Sequence, residues 1–296
     1  GRSVACVMPP PSTPADPAPP AALRRALAGL VDPGARWTPL AGGRVNRLWR
    51  VGEVVVKRYD PRAASPLFPN DPDAEAAALA AFAPAGLAPL PLGRGNGWLA
   101  YRYHPGRRWS GRMADEPPGA VAQLLGRLHR QPAGGLGFLR RLPSGADALR
   151  AQGRAILRGC AGGLPPPPDV ADPGPAPVPV PIHGDAVPGN VIAGPAGLVL
   201  IDWQCPALGD PAEDLALFLS PAMQMLYRGA PLTATEADAF LSAYPDPRAA
   251  GRYRALAPLF RWRMAAHCLW RAERGAPDYR RAQALEGEAD AAGPAR

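Results

Sequence analysis

Apolar positions fall into short β-like runs in the first third of the chain and mostly into helix-spaced sets after it. Residues 54 to 59 read Val-Val-Val-Lys-Arg-Tyr, β-branched and strand-like, and come after a stretch from Leu40 to Val51, with Gly52 marking the turn between them. Leu90 to Leu92 and Trp98 to Tyr103 predict two further strands around the glycine-rich turn at 93–97. Val191-Ile192 and Leu198 to Ile201 flank Ala193-Gly194-Pro195-Ala196-Gly197, a hairpin pattern. Helices are predicted over 21–30, with Leu23, Leu27 and Leu30 on one face, and over 70–82, opened by Asp71 and Pro72. Others are predicted from Glu116 to His129, from Ala146 to Cys160 and from Asp210 to Phe218, where Asp caps, Pro is the first helical residue and Glu comes two positions later. Thr233-Ala234-Thr235-Glu236 is a capping box for a helix through Tyr244. The last long helix is expected from Tyr253 to Arg274, with Pro258 kinking it or marking its true start.

Two proline-rich stretches interrupt this pattern. Residues 1–20 form a lead-in with no means of building a core, and 164–181 reads as a stiff connector leading to His183. The remainder divides into an N-lobe at 21–103, a C-lobe at 104–287 and a disordered tail at 288–296, and 296 residues suffice for two lobes. A net charge of +8 raises the question of nucleic acid, but the arginines are scattered, with no basic helix or aromatic platform, so no nucleic-acid partner is expected. Cys6, Cys160, Cys205 and Cys268 are far apart and predict free thiols in a reducing compartment. No apolar run approaches the ~20 residues of a membrane span. With no apolar core in its first twenty residues, the chain is expected to be cytoplasmic.

Candidate chemistry concentrates at 183–202. A tight hairpin would bring its two ends together, so Asp185, Asn190 and Asp202 converge although they are distant in sequence. That set suits phosphoryl transfer from a nucleotide: Asp185 takes up an acceptor hydroxyl's proton, while Asn190 and Asp202 are hard oxygen ligands for Mg2+ on the phosphates. The plainer alternative is two surface loops with capping carboxylates. Gly42-Gly43 leaves a hairpin backbone clear of side chains, able to approach phosphates, and lies one strand before Lys57, the chain's single lysine. No Walker-type glycine loop occurs.

His183-Gly184-Asp185 and Ile201-Asp202-Trp203 resemble the catalytic loop and metal-binding motif of the protein-kinase-like fold, in the form used by the aminoglycoside phosphotransferase and choline kinase superfamily of small-molecule kinases. The resemblance implies an α+β, two-lobed protein-kinase-like fold: a small antiparallel β N-lobe and a mostly helical C-lobe. It implies ATP as phosphoryl donor. Lys57 would contact the phosphates, Glu75 would pair with Lys57, and the base would lie against the hinge near Tyr103. His183 would support the catalytic loop, and Asp214, in Gly209-Asp210-Pro211-Ala212-Glu213-Asp214-Leu215-Ala216, would brace its backbone, leaving Asp210 as a cap. His129 ends a helix as a packing or hydrogen-bonding residue, and His104 is a surface residue.

The acceptor is expected to be a small molecule with a hydroxyl. Trp203, Tyr227, Trp262 and Trp270 would form an aromatic wall for a cationic acceptor, although core packing is open to each. Gly42-Gly43-Arg44-Val45-Asn46 and the Trp-bearing last helix look closer to choline, ethanolamine or thiamine kinases. Aminoglycoside or macrolide phosphotransferases, or a non-catalytic nucleotide-binding regulator, are the alternatives.

Overall fold

The computed structural model describes residues 18–41, 44–112 and 116–291. Residues 1–17 of the expected lead-in, Gly42, Gly43 and residues 292–296 lie outside the described residues.

The N-terminal part opens with α1 (Ala21–Ala26), whose Leu23 packs with Leu27 on the outer face of a sheet, while Leu30 stays exposed. The sheet comprises β1 (Trp37–Pro39), β2 (Arg47–Val51) and β3 (Val54–Arg58), then, after α2 (Pro72–Phe82), β4 (Pro91–Gly95) and β5 (Trp98–Arg102). These five strands are antiparallel in the order β1-β2-β3-β5-β4. Period-two alternation divides β3: Val56 joins Trp49 and Ala100 under α1, while Lys57 and Val55 take the opposite face. Asp71 caps α2, accepting from the backbone N–H groups of Asp73 and Ala74 at 3.0 Å each, with Pro72 at the first helical position.

Beyond a short strand β6 (Arg107–Arg108), the chain becomes mostly helical: α3 (Pro118–His129), strand β7 (Arg140–Arg141) and α4 (Ala146–Leu157). Strand β8 (Val180–Ile182) precedes the hairpin β9 (Val191–Gly194) and β10 (Gly197–Leu200), with Ala193 and Gly194 inside the ladder and only Pro195-Ala196 turning. Strand β11 (Ala207–Gly209) leads to α5 (Ala212–Leu219), α6 (Pro221–Arg228), α7 (Ala234–Ala243), α8 (Pro247–Ala272) and α9 (Asp278–Ala291). The α7 capping box forms in both directions, Thr233 with the Glu236 N–H and the Glu236 carboxylate with the Thr233 N–H.

Three expectations change. The long helix starts at Pro247, not Tyr253, because Asp246 caps it by accepting from the Arg248 N–H at 2.9 Å, and Pro258 lies inside it. Residues 288–291 belong to α9, so the tail expected from 288 begins as helix; Tyr279 and Ala282 bury against α6 and α8, and the Glu286 carboxylate accepts from Ser220 Oγ and, at 3.1 Å, the Ala222 N–H. The proline-rich stretch is not a free connector. Pro165 O accepts from Trp262 Nε1 at 2.9 Å, Gly174 O accepts from Arg252 at 3.0 Å, and Asp172 accepts from the Ala146 N–H at 3.2 Å.

One continuous core joins the two parts, running from Val55, Leu79 and Leu99 through Leu125 and Leu200 to Phe218 and Phe240. Phe82 of α2 stacks on Trp203 with ring centroids 4.9 Å apart, so the helix beside the sheet is fixed directly to the segment after β10. Among the described residues no helix is long and apolar enough to cross a membrane.

Candidate active site

The β9–β10 hairpin does what its sequence suggests. Val191 pairs with Leu200, and Ile201 N–H donates to Asn190 O at 2.9 Å, so the chain entering the hairpin is clamped to the chain leaving it. Asn190 Nδ2 donates to Asp185 O at 2.9 Å and to Asp185 Oδ2 at 3.1 Å. Its amide nitrogen is thereby committed to the loop, which leaves its oxygen for a cation. Asp202 comes directly after Ile201 and is the one described non-glycine residue with positive φ, 64°. A left-handed aspartate at a strand end is a strained conformation, held here by a buried cation.

That cation is Lys57. Its ammonium donates to Glu75 Oε2 at 2.7 Å, to Gln204 Oε1 at 3.0 Å and to Asp202 Oδ1. Burial disfavours the ammonium, but the carboxylates of Asp202 and Glu75 outweigh it and hold Lys57 above its ordinary pKa. Glu75 is fully buried, accepts from the Tyr59 hydroxyl, and takes the Trp203 N–H at 3.1 Å on its other oxygen. One helix carboxylate thus ties the strand lysine to the segment that follows β10. Burial and then the negative charge of Asp202 push Asp185 well above the usual carboxylate range.

Behind Asp185 the loop rests on α5. Asp214 accepts from the His183 N–H at 2.8 Å and the Gly184 N–H at 2.9 Å, and bonds His129 Nε2 at 2.9 Å; His129 Nδ1 meets the Tyr244 hydroxyl at 2.7 Å. Burial works against the Asp214 carboxylate, yet His129 and these donors outweigh it and lower its pKa. Burial lowers the His183 pKa. The neutral ring places its Nε2 3.0 Å from Ile201 O and, through Nδ1, accepts the Asp185 N–H at 3.2 Å. Asp210, expected as the cap of this helix, lies one residue before the actual N-cap, Pro211; its carboxylate accepts from the Ala212 N–H at 2.9 Å and also pairs with Arg252 at 2.6 Å.

Gly184 has φ 76°, and a Cβ there would lie 2.0 Å from Cys205 O. Gly184→Ala is expected to cost roughly 2–4 kcal/mol, strain plus overlap; a shift of the urea midpoint at constant slope reads it.

A cavity of about 180 Å³ lies between Leu48 and Val55 of the sheet and Ile192 and Ile201 of the hairpin, with Asn190 and Asp202 at its wall. Tyr103 lines it, as the hinge expectation requires; its own N–H is already given to Glu53 O at 2.7 Å. His104, expected at the surface, is half-buried and borders this cavity, with an Nε2 that has no partner among the described residues. Asp185 faces a second, smaller space shared with Tyr227, whose ring packs so closely on Gly189 that a Cβ there would lie 2.3 Å from it.

The aromatic wall does not assemble. Trp203 is fully buried between Phe82 and His183, and its Nε1 donates to Leu200 O. Trp262 packs on Gly153 and Pro165, and Trp270 lies under Arg274 with ring to guanidinium 4.2 Å. Only Tyr227 of the four borders Asp185. Helical spacing made them equally plausible as core residues, and three are core or far-side residues. The sequence reading missed Tyr59, Gln204 and Asn46 as supports: Asn46 Nδ2 donates to Gln204 Oε1 at 3.0 Å and to Asn70 Oδ1 at 2.8 Å, linking the segment after Gly42-Gly43 to the lysine. It also missed Tyr279.

A β-sheet carrying a lysine–glutamate pair, set against a helical part carrying an Asp, Asn and Asp on one hairpin, defines a kinase-like phosphotransferase fold. The chain belongs to the phosphotransferase enzyme family, whose profile matches residues 36–259. Its fold is shared by a choline/ethanolamine kinase family protein from Mesorhizobium loti, 18% identical with a TM-score of 0.62 over 89% of this chain and 93% of that one. The choline kinase of Streptococcus pneumoniae is 17% identical, with a TM-score of 0.58 over 90% and 98%. A macrolide 2'-phosphotransferase from Brachybacterium faecium is 18% identical, with a TM-score of 0.54 over 93% and 98%. No curated protein matches the chain significantly.

Proposed function

We propose that the chain transfers the γ-phosphoryl group of ATP to a hydroxyl of a small molecule. What carries this reading is the convergence of Asp185, Asn190 and Asp202 beside the Lys57–Glu75 pair. Asp185 orients the acceptor hydroxyl and takes its proton as the oxygen bonds to phosphorus and the bond to the ADP oxygen breaks. Lys57, fixed by Glu75, Asp202 and Gln204, offers its positive charge to the phosphates. Among the described residues no cluster of three His, Cys, Asp or Glu forms a metal site; the free oxygens of Asn190 and Asp202 are the groups that would hold Mg2+. Such a pair fits an ion that completes its shell with phosphate and water. Bound Mg2+ would neutralise charge on the transferring phosphates. The division into a nucleotide-binding lobe at 21–103 and an acceptor lobe at 104–287 belongs to this reading, as does a cytoplasmic location, where ATP is available.

For the acceptor, the Gly42 to Asn46 motif supports choline-, ethanolamine- or thiamine-type alcohols over antibiotics. A solved relative from Streptomyces rimosus binds ADP and streptomycin, but among the described residues the space beside Asp185 is lined by no other carboxylate. The test is ADP release from Mg-ATP over a panel of hydroxyl compounds, with product confirmed by mass. Acceptor-dependent ADP that vanishes with chelator is expected. ATP binding seen by thermal shift, with no acceptor-dependent ADP from any compound, would instead identify a nucleotide-binding regulator.

A further inference from the structure

The acceptor-side space, about 40 Å³, is lined by Asp185, Tyr227, Tyr279, Arg44, Arg271 and His267 among others. A cationic head group would need an open ring face or an unpaired carboxylate there. Neither is offered. The guanidinium of Arg44 already sits 5.3 Å from the Tyr227 ring centroid and 5.5 Å from that of Tyr279, and Arg271 lies 5.3 Å from the Tyr279 ring. The nearby acid, Asp278, is taken by Arg44 at 2.7 Å. Arg271 is half-buried and has no carboxylate partner among the described residues. His267 is 2% exposed, and its Nδ1 has no hydrogen-bond partner among the described residues. With Nδ1 protonated, the His267 imidazole and the N–H groups of the Arg271 guanidinium, stacked on Tyr279 but without a carboxylate partner among the described residues, make up a donor set for an oxyanion on one small space.

We infer that the acceptor carries an anionic group, a carboxylate or a phosphate ester, which docks on Arg271 and His267 and turns its hydroxyl toward Asp185. This rests on the phosphotransferase reading but departs from its amino-alcohol acceptor, putting a hydroxy acid or a phosphorylated alcohol in its place. Burial and the neighbouring Arg271 drive the His267 pKa down to about 3, so at neutral pH the ring stays uncharged and contributes a hydrogen bond, not a charge, to the anion.

The experiment compares ethanolamine, serine, 3-hydroxypropionate and glycerol 3-phosphate as acceptors with Mg-ATP, in the wild type, Arg271→Gln and Arg271→Lys. ADP release with 3-hydroxypropionate, serine or glycerol 3-phosphate well above that with ethanolamine is expected; the first and last separate carboxylate from phosphate. R271Q is expected to raise KM for the anionic acceptor about tenfold, the worth of one charge-assisted contact, with R271K recovering part of it. Ethanolamine as the preferred acceptor, or an R271Q KM equal to wild type, overturns the inference while leaving the phosphotransferase reading intact. If no acceptor yields ADP, thermal shift without nucleotide decides: stabilisation by 3-hydroxypropionate or glycerol 3-phosphate in the wild type but not R271Q upholds the anion site, and no such difference removes it.

Discussion

Asp185→Asn is expected to lower the rate of phosphoryl transfer about 10³-fold, the range a positioned general base contributes, without loss of the folded protein. The amide retains the size of the carboxylate and can still accept from Asn190 Nδ2, so the loop geometry is kept. It cannot take a proton. The nucleotide side of the site, Lys57, Asn190 and Asp202, is untouched, so KM for ATP should move far less than kcat. Stability gives a second readout. Burial and the charge of Asp202 raise the Asp185 pKa, which means the folded state tolerates its ionised form poorly. At neutral pH, without nucleotide or metal, D185N should therefore melt at or above the wild-type temperature. Wild-type turnover in D185N would remove Asp185 from the mechanism. Lost turnover with a lower melting temperature would assign the residue to structure.

Much of this was legible in the chain, and the pattern of what was missed is physical. Local signals carried through: Asp71-Pro72 opens α2, Thr233 and Glu236 close a capping box, and Val191 pairs with Leu200 across a short turn. Each depends on residues a few positions apart. The true start of α8 was written the same way, as Asp246-Pro247, but the apolar set from Leu256 onward drew the boundary inward. Asp185, Asn190 and Asp202 were readable because one hairpin holds them. Gln204, Asn46 and Tyr59 were not, because a side chain that supports a lysine from another part of the fold carries no periodicity of its own. The tryptophans failed for the opposite reason. Large apolar residues at helical spacing fit a core and a pocket equally well, and only the packing of α4 against α8 shows that Trp262 fills the gap left by Gly153. Helix α9 was hidden by composition: few large apolar residues, with Tyr279 and Ala282 supplying the buried contacts and Glu286 a buried polar one.

Asp214→Ala is expected to be the most destabilising single change near the site. Its carboxylate lies at zero exposure in α5 and satisfies the His183 N–H, the Gly184 N–H and His129 Nε2 together. Alanine leaves two buried backbone donors and an imidazole without an acceptor, and the loss should reach about 3–5 kcal/mol. Asp214→Asn keeps one acceptor oxygen and should cost less, and the difference between wild type and D214N then carries a pH signature. The folded-state pKa of Asp214 lies below its unfolded value. Its ionic contribution is therefore complete above the unfolded pKa, about 3.9, and is lost as pH falls through that value toward the folded one. The melting-temperature gap between wild type and D214N should be widest near neutral pH and close as pH drops below about 4. A gap unchanged over that range would mean that shape, and not charge, braces the loop. Because the same carboxylate holds the backbone on which Asp185 is carried, D214N should also lower kcat, by roughly tenfold if the attacking geometry loosens slightly. Full activity in a D214N protein that has lost stability would show that the loop holds Asp185 in place without this brace.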